Sequence, residues 1–285
     1  MHRRALLAAF PFLAACSPTL GMFDAVAPRD DGVRRVVRDA AFGPGERQKL
    51  DVYAPAGHDG QPLPVLMFIY GGSWRYGEKD DYEWLGAALA AQGFLVVVPN
   101  YRLVPDVVFP AFVEDCAAAV RWTVDNCAAH GGDPTKLVLS GHSAGGYNAV
   151  MLALNGAYLS TAGVDSARVR GAIGLAGPYD FLPFEVDATR NAFGAASDPQ
   201  LTQPVHFARA DAPPLLLLWG EDDTTVGPRN LESLQRVQSA AGAEVQTKTY
   251  PGVDHIDILL AISRPFRARA PVLADMTDFV RRVTA

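Results

Sequence analysis

The stretch Leu137 to Asn148, LVLSGHSAGGYN, constrains the fold of this chain more than any other. A short apolar run, Leu137 to Leu139, meets a glycine, and a helical pattern begins directly after Ser143. A strand must therefore stop, turn over one residue and continue as a helix. A turn that sharp has room only if the positions two before and two after its apex lack side chains, and Gly141 and Gly145 meet that demand. Ala144 and Gly146 keep the surroundings open. The following helix aims its N-terminal N–H groups and the positive end of its dipole at the apex. G-x-S-x-G between strand and helix is the setting of a serine nucleophile, and Ser143 is the candidate.

The rest of the chain repeats the strand-then-helix rhythm. Short apolar runs at Val65–Ile69, Leu95–Val98, Val169–Leu175 and Leu215–Trp219 suit strands covered on both faces. Gln48–Tyr53 alternates as a half-buried strand, and Glu244–Tyr250 is expected to be the last strand. Helical patterns fall at Glu83–Gln92, Ala111–Ala129, Ala144–Asn155, Arg229–Ala241 and Val272–Val283. This alternation predicts an α/β fold, a mostly parallel central sheet with helices on both faces. The 285 residues suffice for one such domain, expected over 33–285. Pro178 to Pro214, with six prolines and scattered aromatics, breaks the rhythm and reads as an irregular cap over the site.

The N-terminus reads differently. His2-Arg3-Arg4 precedes an apolar run, Ala5 to Ala15, that is too short to span a bilayer, which takes about 20 residues. Residues 1–15 have the layout of a signal peptide. Leu13-Ala14-Ala15-Cys16 resembles a lipoprotein processing box, so Cys16 is the expected lipidation site and the cell envelope the expected location. Residues 16–32, with two prolines and little periodicity, read as a tether. Cys116 and Cys127 stand eleven positions apart in one helical pattern. That is roughly 16 Å along an axis, too far for a disulfide, and both are expected to be buried thiols. With 25 basic and 31 acidic residues the net charge is −6, which offers no footprint for nucleic acid.

A serine hydroxyl needs a base, and the base needs an orienting carboxylate; their chain order is Ser, then Asp or Glu, then His. Downstream of Ser143 stand His206, inside the irregular insertion, and His255, just after the last strand. His255 is where the base belongs. The acid should follow the strand Leu215–Trp219, where Glu221, Asp222 and Asp223 compete and spacing alone does not choose. Asp254 and Asp257 flank the histidine and read as local loop groups.

Further motifs carry a resemblance. Tyr70-Gly71-Gly72-Ser73-Trp74 stands after a strand where H-G-G-x-W is found in one large group of enzymes. Asn100-Tyr101-Arg102-Leu103 resembles D-Y-R-L, His130-Gly131-Gly132-Asp133-Pro134 contains G-G-D-P, and Gly220, Asp223 and Val226 fit G-x-x-D-x-x-V. From about Arg47 onward the chain resembles an α/β-hydrolase. Within that superfamily it is similar to bacterial carboxylesterases related to hormone-sensitive lipase, to feruloyl esterases (the BD-FAE-like group) and to kynurenine formamidase. The resemblance selects Asp223 as the acid. It implies that the backbone N–H groups of Gly72 and Ser73, with that of Ala144, form an oxyanion hole, supported by Tyr70, Gly71 and Trp74. It departs from the pattern at Tyr70, where histidine is usual, and at Asn100. The implied activity is hydrolysis of a small-molecule carboxylic ester through an acyl-enzyme on Ser143. The alternatives are an N-formyl amidase of the kynurenine-formamidase kind and a non-catalytic binding lipoprotein on a hydrolase scaffold. No metal or cofactor is expected, because the sequence has no His/Cys set with ligand spacing and no dinucleotide or P-loop fingerprint. Phe112, Tyr147, Phe181, Phe184 and Ile256 are candidate pocket walls.

Overall fold

Runs of Val, Leu and Ile form the middle of one eight-stranded sheet among the described residues, 17–57 and 60–285 of this computed structural model. The expected signal segment 1–15 and Cys16 lie outside the described residues. The strands are β1 (Val33–Ala41), β2 (Lys49–Pro55), β3 (Leu63–Ile69), β4 (Leu95–Pro99), β5 (Gly132–His142), β6 (Val169–Leu175), β7 (Leu215–Gly220) and β8 (Val245–Tyr250). Their order across the sheet is β1-β2-β4-β3-β5-β6-β7-β8. β2 pairs antiparallel with both β1 and β4, and every other pairing is parallel. All five residues of β4 are buried, and consecutive residues point to opposite faces, so the sheet is covered on both sides.

The covering helices are α1 (Ser17–Val26), α2 (Glu83–Ala90), α3 (Ala111–Asn126), α4 (Ala144–Leu154), α5 (Ala157–Thr161), α6 (Asp187–Phe193), α7 (Arg229–Ala240), α8 (Asp257–Leu260) and α9 (Val272–Val283). α4 packs on β5 and β6, α9 on β6 and β7, and α2 on β2 and β4. Cys116 and Cys127 are both free and buried. β3 and β5 are neighbours, and the chain leaves β3 for β4 on one side and β5 for β6 on the other. In open parallel sheets, ligands bind beyond the carboxyl ends of the strands at such a reversal.

Two expectations are corrected here. The stretch expected to be a tether folds as α1 and packs against the domain. Leu20 and Ala27 are buried, and the ring of Phe23 meets Trp84 edge-on at 5.3 Å and Phe266 at 6.0 Å. The Trp84 N–H, in the first turn of α2, donates to Asp24 Oδ1 at 3.0 Å, so a side chain of α1 caps α2. The insertion also has regular structure of its own: it contains α6 and two 3₁₀ turns, Pro199–Thr202 and Pro204–Phe207.

Candidate active site

Ser143 stands between the end of β5 and the start of α4 with φ 53° and ψ −122°. That is a left-handed backbone on a residue with a Cβ, a strain of order 1–3 kcal/mol that the surroundings must impose. The flanking glycines show how. A Cβ on Gly145 would strike the carbonyl oxygens of Ile69 and Tyr70, and one on Gly141 would strike the Gly145 carbonyl. Bare backbone at these two positions lets the elbow seat directly on the end of β3. Gly71 then lies against the serine, since a Cβ there would come within 3.0 Å of Ser143 Cβ.

The loop after β3 is wound tightly. Gly72, Ser73 and Trp74 have φ of 118°, 55° and 57°, and the Gly72 carbonyl accepts from Arg75 N at 3.0 Å and Tyr76 N at 2.9 Å. Trp74 anchors the turn inward. Its Nε1–H donates to Asn148 Oδ1 on α4 at 3.3 Å, and its ring packs on Phe112, Tyr147 and Phe193. Tyr70, the departure from the usual histidine, is fully buried. Its hydroxyl accepts from Arg47 Nη2 at 2.9 Å and donates to Asn100 Oδ1 at 3.0 Å. Burial pushes the phenol pKa up, so it stays a hydroxyl able to donate. Arg47 Nη2 also donates to the Gly77 carbonyl at 2.6 Å. Tyr70 thus connects through Arg47 to the far end of its own loop, and the two departures from the motif, Tyr70 and Asn100, bond each other. Arg47 had no motif to mark it in the sequence.

Of the three carboxylates after β7, Asp223 is buried while Glu221 and Asp222 are exposed. Asp223 Oδ2 lies 2.7 Å from His255 Nδ1. Its Oδ1 accepts from Thr225 N at 2.8 Å and Val226 N at 2.9 Å, which fixes the carboxylate. A carboxylate only accepts, so Nδ1 carries the proton and His255 Nε2 keeps a lone pair. Asp254 accepts from Ile256 N and Asp257 N, and Asp257 pairs with Arg269, so both serve the local loop. His206 is exposed in the second 3₁₀ turn of the insertion.

Ser73, Trp74, Ser143 and Ala144 line one cavity of about 310 Å³. Phe181, Leu182 and Val186 of the insertion also line it, as do Val226 and Arg229. Of the aromatics expected at pocket walls, Phe181 reaches this cavity. Phe112 and Tyr147 are buried core residues behind Trp74, Phe184 packs on Phe181, and Ile256 is half-buried beside His255. Among the described residues no group of three His, Cys, Asp or Glu could hold a metal ion.

A family model described as BD-FAE matches residues 50–237. The chain is 28% identical over 248 residues to a probable isoprenylcysteine alpha-carbonyl methylesterase ICME of Oryza sativa subsp. japonica, covering 80% of this chain and 59% of that protein. It is 29% identical over 248 residues to Esterase LipQ of Mycobacterium tuberculosis, covering 79% and 58% respectively. The chain therefore spans under two thirds of these relatives' lengths. Among solved structures, esterase B from Lactobacillus rhamnosis superimposes with a TM-score of 0.80 at 21% identity, over 93% of this chain and 90% of that one. A bacterial heroin esterase superimposes with a TM-score of 0.74 at 24% identity, over 94% and 89%. At these identities the structural likeness speaks for the shared fold.

Proposed function

This chain belongs to the BD-FAE family and has the α/β-hydrolase fold, and on that premise we propose that it is a carboxylesterase working through Ser143, His255 and Asp223. Ser143 attacks the ester carbonyl while His255 Nε2 takes its proton and later returns it to the leaving alcohol. Asp223 holds the Nδ1–H tautomer and stabilises the imidazolium. The N–H groups of Gly72, Ser73 and Ala144 receive the oxyanion, each such donor typically supplying about 3–4 kcal/mol to the transition state. Water then attacks the acyl-enzyme with His255 again as base, and that proton passes to Ser143 Oγ as the acid leaves. The observation that carries this reading is the strained Ser143 elbow opening on the same cavity as Ser73 and Ala144. The Asp223–His255 bond of 2.7 Å supports it from the other side. A cavity of about 310 Å³ is at the small end of ligand pockets and favours a compact ester over a long-chain lipid.

The test is Ser143→Ala on a short chromogenic ester. We expect loss of turnover by on the order of 10⁴-fold or more; wild-type turnover would remove Ser143 from the reaction. N-formylkynurenine assayed beside the ester separates esterase from formamidase. The proposal includes export and anchoring through Cys16, supported by the apolar run and processing box before it. Cys16→Ser is expected to release the protein from the membrane fraction, and unchanged association would rule out this anchor.

A further inference from the structure

His142, the residue before the nucleophile, is buried and touches all three segments of the site. Its Nε2 lies 2.8 Å from the backbone oxygen of His255. A carbonyl can only accept, so Nε2 carries the proton and Nδ1 is bare. A Cβ on Gly71 would come within 3.1 Å of that Nδ1, so the start of the oxyanion loop rests on the same ring. The two imidazole rings stand 4.7 Å apart at 47°. Asp223 holds the His255 side chain and the buried Val253 carbonyl accepts from Asp222 N at 3.0 Å, while the partner of the His255 carbonyl is His142.

From this geometry, and resting on the triad reading above, we infer that His142 is a positioning residue: its Nε2–H fixes the His255 backbone, and its uncharged ring fills the space between the base and the oxyanion loop. Charge matters because His255 becomes an imidazolium during the reaction, and a second cation one ring away would oppose it. Burial, with His255 adding to it, pushes His142 down to about 3, and the titratable groups facing it are His255 and Asp223. Gly71 brings none. His142 therefore stays neutral where the enzyme works, and only His255 changes charge.

Three measurements test this. His142→Leu removes the donor, and we expect kcat to fall about 10–100-fold with KM little changed, the scale of a slightly misplaced catalytic group. His142→Gln places an amide N–H at similar reach and should restore most of that loss. A folded Leu variant with wild-type kcat, or a Gln variant no better than Leu, would overturn the inference. Nitrogen NMR of the wild-type imidazoles needs no variant. His142 should be a neutral Nε2–H tautomer throughout about pH 5 to 8, the range in which an ordinary histidine titrates. An Nδ1–H tautomer, or protonation within that range, refutes the proposal. Ser143→Ala run in parallel separates the two readings: retained activity there defeats the triad and leaves the His142 tautomer result standing.

Discussion

Tyr70 shows how a residue can leave a motif and keep a supporting task. Its hydroxyl stands between Arg47 and Asn100, and Arg47 in turn holds the Gly77 carbonyl, so the Gly71–Gly77 loop is tied at both ends. Tyr101 adds to this by donating to the Tyr70 carbonyl at 3.0 Å. Tyr70→Phe would cut the central link without orphaning either neighbour. Arg47 keeps Gly77 and Tyr101, and Asn100 Oδ1 keeps the Lys79 N–H at 2.7 Å. The expected cost is therefore about 1 kcal/mol, an ordinary hydrogen bond and not a stranded buried group. Denaturant unfolding measures it, and ester kinetics should show a few-fold drop in kcat with KM unchanged. A loss of several kcal/mol would mean that Arg47 depends on the phenol for its own placement.

Elements differ in how far the sequence reveals them. β3, β4, β6 and β7 are covered on both faces, so each is a short apolar run, and Val169–Leu175 matches β6 to the residue. β1 leaves little pattern in the sequence because it is an irregular edge strand carrying Arg34, Arg35, Arg38 and Asp39, with two breaks in its register against β2. α1 leaves little because its partners are remote: Trp84, Phe266 and the turn Lys79–Tyr82. The same principle holds in the site. Ser143 and His255 stand out by local pattern and order, whereas the Arg47–Tyr70–Asn100 chain joins residues 23 and 30 positions apart and runs through Arg47, which no motif marks. The docking of α1 should depend on pH. Burial pushes Asp81, which lies against Gly21, up from 3.8 to about 6, with Glu78 adding to the rise; Asp24 on α1 is raised by burial as well. A carboxyl raised in the folded state binds its proton more tightly there than in the unfolded chain. Its contribution to stability is thus greatest below about pH 4 and is lost as pH rises to about 6. Asp81→Asn should remove part of that slope, so Tm should fall less between those pH values than in the wild type. Hydrogen exchange over Ser17–Val26 should speed up with pH in parallel, beyond the intrinsic rate. An identical Tm slope in the variant would take Asp81 out of the account.

Across the whole molecule, the site joins parts of the sheet with unequal protection. The proposed oxyanion loop follows β3 and the proposed nucleophile follows β5, strands in the middle of the sheet whose carboxyl ends are fully buried. The proposed base follows β8, an edge strand paired on one side only, of sequence VQTKTY and mostly exposed or half-buried. Edge elements with few buried apolar contacts open at lower free energy than the core. His255 relies on that edge: the register Gly220↔Tyr250 sets where its loop starts, and the Asp223–His255 bond crosses from the loop after β7 to the loop after β8. Partial denaturation should therefore separate the base from the serine before the sheet unravels. In a urea series, esterase activity should be lost at a lower midpoint than far-UV circular dichroism, and fluorophosphonate labelling of Ser143 should fall with activity. Amides of Val245–Tyr250 should exchange faster than those of Leu137–His142. Gln246→Pro, which removes an N–H that faces β7, should widen the gap between the two midpoints. Coincident midpoints in the wild type would instead show that β8 unfolds with the core as one unit.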